Sequence, residues 1–272
     1  MTELLGAKRV RMLLDSYGAS PKKSLGQNFV IDPNTIRKVV EVAGVSPDHN
    51  VLEIGAGCGS LTLGLAARAR HVTAVEIDDR LVALLAESLS GVTNVDVVHS
   101  DALDLDLSHI DASVLVANLP YNIATHLVLR VLEQAPQIND VVVMTQKEVG
   151  ERLAATPGSK IYGQTSVMVR YFGRAEIAAQ VSRRAFFPVP NVDSVLVRIT
   201  RETPPNIDRA RLFELIRAAF SQRRKTLRNT IAPMAGSPDL AAQALSRAGL
   251  SPTARAEELS LDDFVTLMKA VA

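Results

Sequence analysis

Residues 51–69, VLEIGAGCGSLTLGLAARA, decide the fold. VLEIGA (51–56) is a short apolar, β-branched run ending in glycine, the signature of a buried strand entering a tight turn. SLTLGLAARA (60–69) follows with helical composition. The same alternation continues downstream. VTAVEI (72–77) reads as a strand and DRLVALLAESL (79–89) as a helix; VDVVHS (95–100), SVLVAN (113–118) and VVVMTQ (141–146) read as further strands, the last feeding a helix from Lys147 to Ala155. Short β-branched runs separated by helices imply βαβ units, and so an α/β fold with a mostly parallel sheet and helices on both faces.

Outward from this core the pattern changes once. Pro204 and Pro205 break the alternation, and RLFELIRAAFSQ, DLAAQALSRAGL and DDFVTLMKAVA beyond them have helical spacing. The expected division is a catalytic domain over 1–203 and a small all-helical domain over 204–272. A chain of 272 residues with 47% hydrophobic and 22% charged residues can bury a sizeable core, which excludes a disordered, collagen-like or disulfide-scaffold protein. No apolar run reaches the length of a membrane span, and the N-terminus has no secretory pattern. Cys58 is the single cysteine, and the five histidines are scattered without zinc-type spacing, so no metal is expected and a reducing cytoplasm is. The net charge of +1 hides basic clusters at Lys22–Lys23, Arg183–Arg184 and Arg223–Arg228, separated by an acidic stretch. Clusters of that kind are either solvated helix faces or a polyanion-binding surface.

Three strand ends carry chemistry. Glu53-Ile54-Gly55-Ala56-Gly57-Cys58-Gly59 joins the first strand to its helix, and its glycines let backbone approach a ligand. Glu76, about twenty residues on, ends the second strand where a carboxylate can accept from ribose hydroxyls. Asp101 follows the third, placed for the exocyclic amine of an adenine ring. A dinucleotide fingerprint would need glycine at position 60, which is Ser60. The observed spacing, with Glu53 two residues ahead of the first glycine, resembles the S-adenosylmethionine loop of class I methyltransferases.

Asn118-Leu119-Pro120-Tyr121 follows the fourth strand. An aryl amine is a weak nucleophile because its lone pair is delocalised into the ring. The Asn118 side-chain oxygen and the Leu119 carbonyl can accept from its N–H groups and aim the lone pair at a methyl donor. Pro120 stiffens the turn, and Tyr121 offers a face for stacking the base, worth about 1–3 kcal/mol. Phe186, or alternatively Phe187, in Phe186-Phe187-Pro188-Val189-Pro190-Asn191-Val192-Asp193-Ser194, would complete a sandwich around an extruded base.

Together with Ser24-Leu25-Gly26-Gln27-Asn28-Phe29 and Arg224-Lys225-Thr226-Leu227-Arg228-Asn229, these motifs resemble in content and order the KsgA-type (RsmA) bacterial small-subunit rRNA adenine N6,N6-dimethyltransferases, over about residues 20–232. The resemblance implies a class I methyltransferase fold of Rossmann-like type. It implies transfer of two methyl groups from S-adenosylmethionine to each of two adjacent adenosines in the 3′-terminal hairpin of 16S rRNA, late in small-subunit assembly. Loss of that activity confers kasugamycin resistance. It further implies that Asn28, Val30, Gly55, Gly57, Glu76, Asp101 and Asn118 hold the cofactor, with the N-terminal segment closing over it. Arg223, Arg224, Lys225 and Arg228 would hold rRNA backbone, and Leu119, where many DNA adenine methyltransferases carry Pro, would leave room for a monomethylated intermediate. A monomer with the small ribosomal subunit as partner is expected. The rivals are an Erm-type large-subunit rRNA dimethyltransferase, a ribosome assembly factor with a secondary catalytic role, and a DNA adenine methyltransferase.

Overall fold

The computed structural model describes residues 4–22, 25–120, 123–222 and 224–271. Five parallel strands lie where the sequence places them: β2 (Asn50–Ile54), β3 (His71–Glu76), β4 (Val95–His99), β5 (Val114–Asn118) and β6 (Asp140–Gln146). Two strands that the sequence reading did not mark extend the sheet. These are β9 (Ser194–Arg201), antiparallel to β6, and β7 (Gly173–Val181) beyond it, giving the order β4-β3-β2-β5-β6-β9-β7. A separate antiparallel pair joins β1 (Phe29–Val30) to β8 (Phe186–Phe187).

The central strands are apolar because both of their faces are covered. Val51, Leu52, Val72, Ala74, Val116, Ala117, Val142 and Val143 are each no more than 1% exposed. Each buried Val or Leu contributes about 1.5–3 kcal/mol. Helices α3 (Ser60–Ala66), α4 (Asp79–Ser88) and α5 (Ala124–Gln134) connect them, α1 (Ala7–Ser16) and α2 (Pro33–Val42) precede them, and α6 (Lys147–Leu153) follows β6. Asp78 starts α4 as its N-cap, accepting from the Arg80 N–H. Arg201, ending β9, donates to the carbonyls of Leu132, Ala135 and Ile138 at the end of α5. The strand order reverses between β2 and β5, and the crevice at such a switch point is where open α/β sheets bind ligands.

The chain divides into two compact units, Met1–Gly150 with Ala175–Arg201, and Glu151–Arg174 with Glu202–Ala272. The sequence reading gave the second unit only the tail from residue 204. Residues 151–174 also belong to it because α7 (Gln164–Phe172) is apolar around most of its circumference. Its Tyr171 and Phe172 stack edge-on with Phe213 of α8 (Arg209–Ala219), at centroid separations of 5.3 and 5.9 Å. Four further helices, α9 (Leu227–Thr230), α10 (Ala232–Ala235), α11 (Pro238–Arg247) and α12 (Leu261–Ala270), complete this unit. Among the described residues no helix is long and apolar enough to cross a membrane, and no group of three or more His, Cys, Asp or Glu side chains is placed to hold a metal ion.

Candidate active site

A cavity of about 250 Å³ opens at the C-terminal ends of β2 to β5, walled on one side by Leu25–Phe29. Gly55 and Gly57, at φ +78° and +58°, turn the chain away from β2. A side chain on Gly57 would meet the Phe29 ring at 3.0 Å, so only glycine keeps the loop this close to the N-terminal segment.

Glu76 is 5% exposed and accepts three backbone N–H groups, from Gly57 at 2.7 Å, Ile77 at 2.9 Å and Asp78 at 3.0 Å. Burial raises its pKa and the neighbouring Asp78 charge adds to the rise, while the three N–H donors act against both. With roughly four acceptor directions on a carboxylate, three N–H bonds leave one for a ligand hydroxyl. Beneath the loop, Glu53 is 1% exposed and its Oε2 has no hydrogen-bond partner. Burial pushes its carboxyl up to about 8; the Thr62 hydroxyl lowers it and the Glu76 charge raises it further.

Asp101 is half-buried and turns its own loop by accepting from the Leu103 N–H at 2.8 Å. Arg130 of α5 fastens that loop through the carbonyls of Ala102 and Leu105, the latter at 2.7 Å. Asn118 ends β5 and donates Nδ2 to the Asn28 carbonyl at 2.8 Å. Leu119, 2% exposed, donates its N–H to the Met144 carbonyl at 3.0 Å, a bond that Pro there would remove.

The structure thus brings Asn28, Gly55, Gly57, Glu76, Asp101, Asn118, Leu119 and Pro120 to one cavity wall. Tyr121 and Arg223 lie outside the described residues. Two expectations need correction. Val30 does not line the cavity: neighbouring residues of a strand face opposite ways, and Val30 is buried in the core, paired with Phe186. Phe186, expected to stack on a base, is 0% exposed in the same core; the half-buried ring is Phe187, which carries the Arg11 guanidinium 5.1 Å from its centroid. In the second unit Arg224 and Lys225 are exposed, whereas Arg228 is held by Asp239 at 2.7 Å and the Pro238 carbonyl at 3.2 Å. The sequence reading missed Gln27, Ile77 and Leu103 as cavity residues. Ile77, directly after Glu76 and 42% exposed although apolar, carried a signal only in its position at a strand end.

A glycine loop, a strand-end carboxylate and an Asn-Leu-Pro turn sharing one cavity at the switch point of a mostly parallel sheet define a class I methyltransferase. Residues 18–272 match the model of the family described as ribosomal RNA adenine dimethylase, and the chain belongs to that family. It is 50% identical to ribosomal RNA small subunit methyltransferase A of Leifsonia xyli subsp. xyli, covering 97% of each chain. Its identity to the protein of the same name from Acidothermus cellulolyticus is 46%, over 98% of this chain and 94% of the other. Among solved structures, a dimethyladenosine transferase from Plasmodium falciparum superposes with a TM-score of 0.77 at 26% identity, covering 87% of this chain and 94% of that one. The 23S rRNA methyltransferase ErmE superposes at 0.72 and 31% identity, covering 89% and 99%.

Proposed function

We propose that the protein dimethylates the N6 amines of two adjacent adenosines in the 3′-terminal hairpin of 16S rRNA, acting as a cytoplasmic monomer on the assembling small subunit. The observation that carries this reading is the placement of Asn118, Leu119 and Pro120 on the wall of the same cavity as Glu76 and Asp101. Relatives with 42–50% identity over nearly the whole chain bear a small-subunit name, against 31% for the large-subunit enzyme, which favours the 16S reading over the Erm-type one.

The wall fits S-adenosylmethionine. Gly55, whose missing Cβ would meet nothing nearer than the Asn118 carbonyl at 3.6 Å, lets backbone approach the cofactor, Glu76 keeps one acceptor direction for a ribose hydroxyl, and Ile77 and Leu103 offer apolar contact beside Asp101 for an adenine ring. When bound, this cofactor supplies an electrophilic methyl group on a sulfonium. The protein's part is orientation. Asn118 spends its Nδ2 on the Asn28 carbonyl, which leaves Oδ1 to accept from the target amine. The Leu119 carbonyl takes the second N–H, and together they turn the nitrogen lone pair out of conjugation. The methylated amine is acidic and releases its proton to water, so no side-chain base is required. Tyr121 and Phe187 are the aromatic faces assigned to the base, and Arg224 and Lys225 the contacts to rRNA phosphate, binding through which weakens steeply with salt.

The test is incubation with radiolabelled S-adenosylmethionine and undermethylated small subunits, followed by nucleoside identification. N6,N6-dimethyladenosine in the 3′-terminal hairpin is the expected product. Label only in large-subunit rRNA, or none, overturns the proposal.

A further inference from the structure

The N-terminal segment reaches the cavity wall as a strap with named fastenings. Gly18 accepts from Arg80 at 2.6 Å through its carbonyl. Lys22 lies 2.8 Å from Asp78 Oδ2, and Gln27 donates to that same oxygen at 3.2 Å. The strap is also folded on itself: the Lys22 N–H donates to Gln27 Oε1 at 2.8 Å, and the Leu25 and Gln27 N–H groups donate to the Lys22 carbonyl at 3.1 and 3.3 Å. One residue past Gln27, the Asn28 carbonyl receives Asn118 Nδ2.

Asp78 is the point where these contacts converge. Its side chain is 4% exposed, and a buried carboxylate is tolerated only when its oxygens are satisfied. The two oxygens divide the work: Oδ1 caps α4 through the Arg80 N–H at 3.2 Å, and Oδ2 takes both strap side chains. Burial opposes ionisation of Asp78, but the bonds from Lys22 and Gln27 outweigh it and hold the carboxyl below its usual value. Asp78 follows Glu76 by two residues, so the fastening sits at the edge of the cavity that Gln27 and Asn28 line.

We propose that Asp78 is a positioning residue for the methyl transfer: through Oδ2 it clamps the strap at Lys22 and Gln27, and so holds the Asn28 carbonyl where it fixes the orientation of the Asn118 amide. The inference rests on the reading of Asn118 given above. A clamp of this kind acts on both sides of the reaction. It closes one wall of the cofactor cavity, and it sets which end of the Asn118 amide faces the target amine.

The division between the two oxygens supplies the experiment. Asp78→Asn keeps an oxygen for the helix cap and replaces the strap's acceptor with an amide N–H that faces two donors. Binding of S-adenosylhomocysteine to the full chain, measured by calorimetry, is expected to weaken about tenfold, the worth of one hydrogen bond to a charged group. kcat on undermethylated small subunits is expected to fall with it, KM for the subunits to hold, and amide exchange at Leu25 and Gln27 to quicken. Lys22→Met, which breaks one of the two Oδ2 contacts, should reproduce part of these effects from the strap side, and the double variant should fall no further than Asp78→Asn alone, which already breaks both. Arg9→Met, which breaks the exposed Arg9–Glu87 pair between α1 and α4, should change none of them.

Unchanged S-adenosylhomocysteine affinity and unchanged exchange in Asp78→Asn overturn the clamp, as do single effects that multiply in the double variant. If the wild-type chain fails to methylate small subunits, the functional reading fails instead, and exchange at Leu25 and Gln27 still decides whether Asp78 holds the strap.

Discussion

Gly57 and Glu76 are joined by a 2.7 Å hydrogen bond from the backbone N–H of the first to the buried carboxylate of the second. The bond ties the glycine loop after β2 to the end of β3, so the two elements that face the cofactor are set relative to each other before anything binds. Glu76→Ala removes the acceptor of all three N–H groups in one step. We expect a loss of about 1–3 kcal/mol in folding stability and a fall of at least tenfold in S-adenosylhomocysteine affinity, read by urea unfolding and calorimetry.

Gly57→Ala tests the same loop from the other side. The new methyl would sit 3.0 Å from the Phe29 ring on a backbone at φ +58°. The expected cost is about 1 kcal/mol or more in stability, with the strap displaced and cofactor affinity reduced beyond what stability alone explains. Thermal unfolding with and without S-adenosylhomocysteine separates the two effects.

The two adjacent phenylalanines should behave oppositely. Phe186→Ala opens a cavity in the core and should cost about 3–5 kcal/mol in stability. Phe187→Ala should leave the protein folded while lowering methylation of small subunits, as the proposed stacking on its half-buried ring, opposite Phe29 of the cavity wall, requires. Urea midpoints and initial rates for the pair decide it. A folded, inactive Phe186→Ala protein would return the stacking role to that residue.

These aromatics also mark where the sequence was legible and where it was not. The ends of β2, β3 and β5 could be read directly, because each is a mostly apolar, buried run that stops at a glycine or polar residue lining the crevice, and β4, an edge strand, was marked by its β-branched residues despite Asp96. Phe186 could not be placed, since an aromatic beside prolines fits either a core or a stacking platform. β7 escaped notice because its sequence, GRAEIAAQV, mixes exposed and half-buried positions without a β-branched run. The membership of 151–174 in the second unit depends on the meeting of Tyr171, Phe172 and Phe213, rings that are distant in sequence.

Glu53 gives a pH dependence whose sign follows from its burial. Its carboxyl rises from 4.5 to about 8 on folding, so the folded state holds a proton that the unfolded chain releases between those values. The associated stability is fully present below pH 4.5 and is lost as pH rises through about 8. Glu53→Gln, neutral throughout, should remove this slope, becoming more stable relative to wild type at pH 8.5 than at pH 5.5. Urea titrations of both proteins at the two pH values check it.

Asn118→Ala should reduce methylation about 10²–10³-fold, the usual effect of removing one oriented polar group from a reaction centre, with the fold intact. Methylation rates on small subunits, with circular dichroism as the control, test this.

The Gly57–Glu76 bond has one more consequence, in the choice among adenosine compounds. In many nucleotide folds the N–H groups of the glycine loop greet a phosphate. Here the Gly57 N–H is already turned onto the Glu76 carboxylate, and Asp101 lies on the same cavity wall. ATP and the dinucleotides share the adenosine half of the methyl donor but bring negative charge to a wall that carries Glu76 and Asp101 and whose loop donor is already committed. The sulfonium compound brings a positive charge instead. Selection against the phosphorylated competitors is therefore expected to come from the two wall carboxylates, by repulsion rather than by shape.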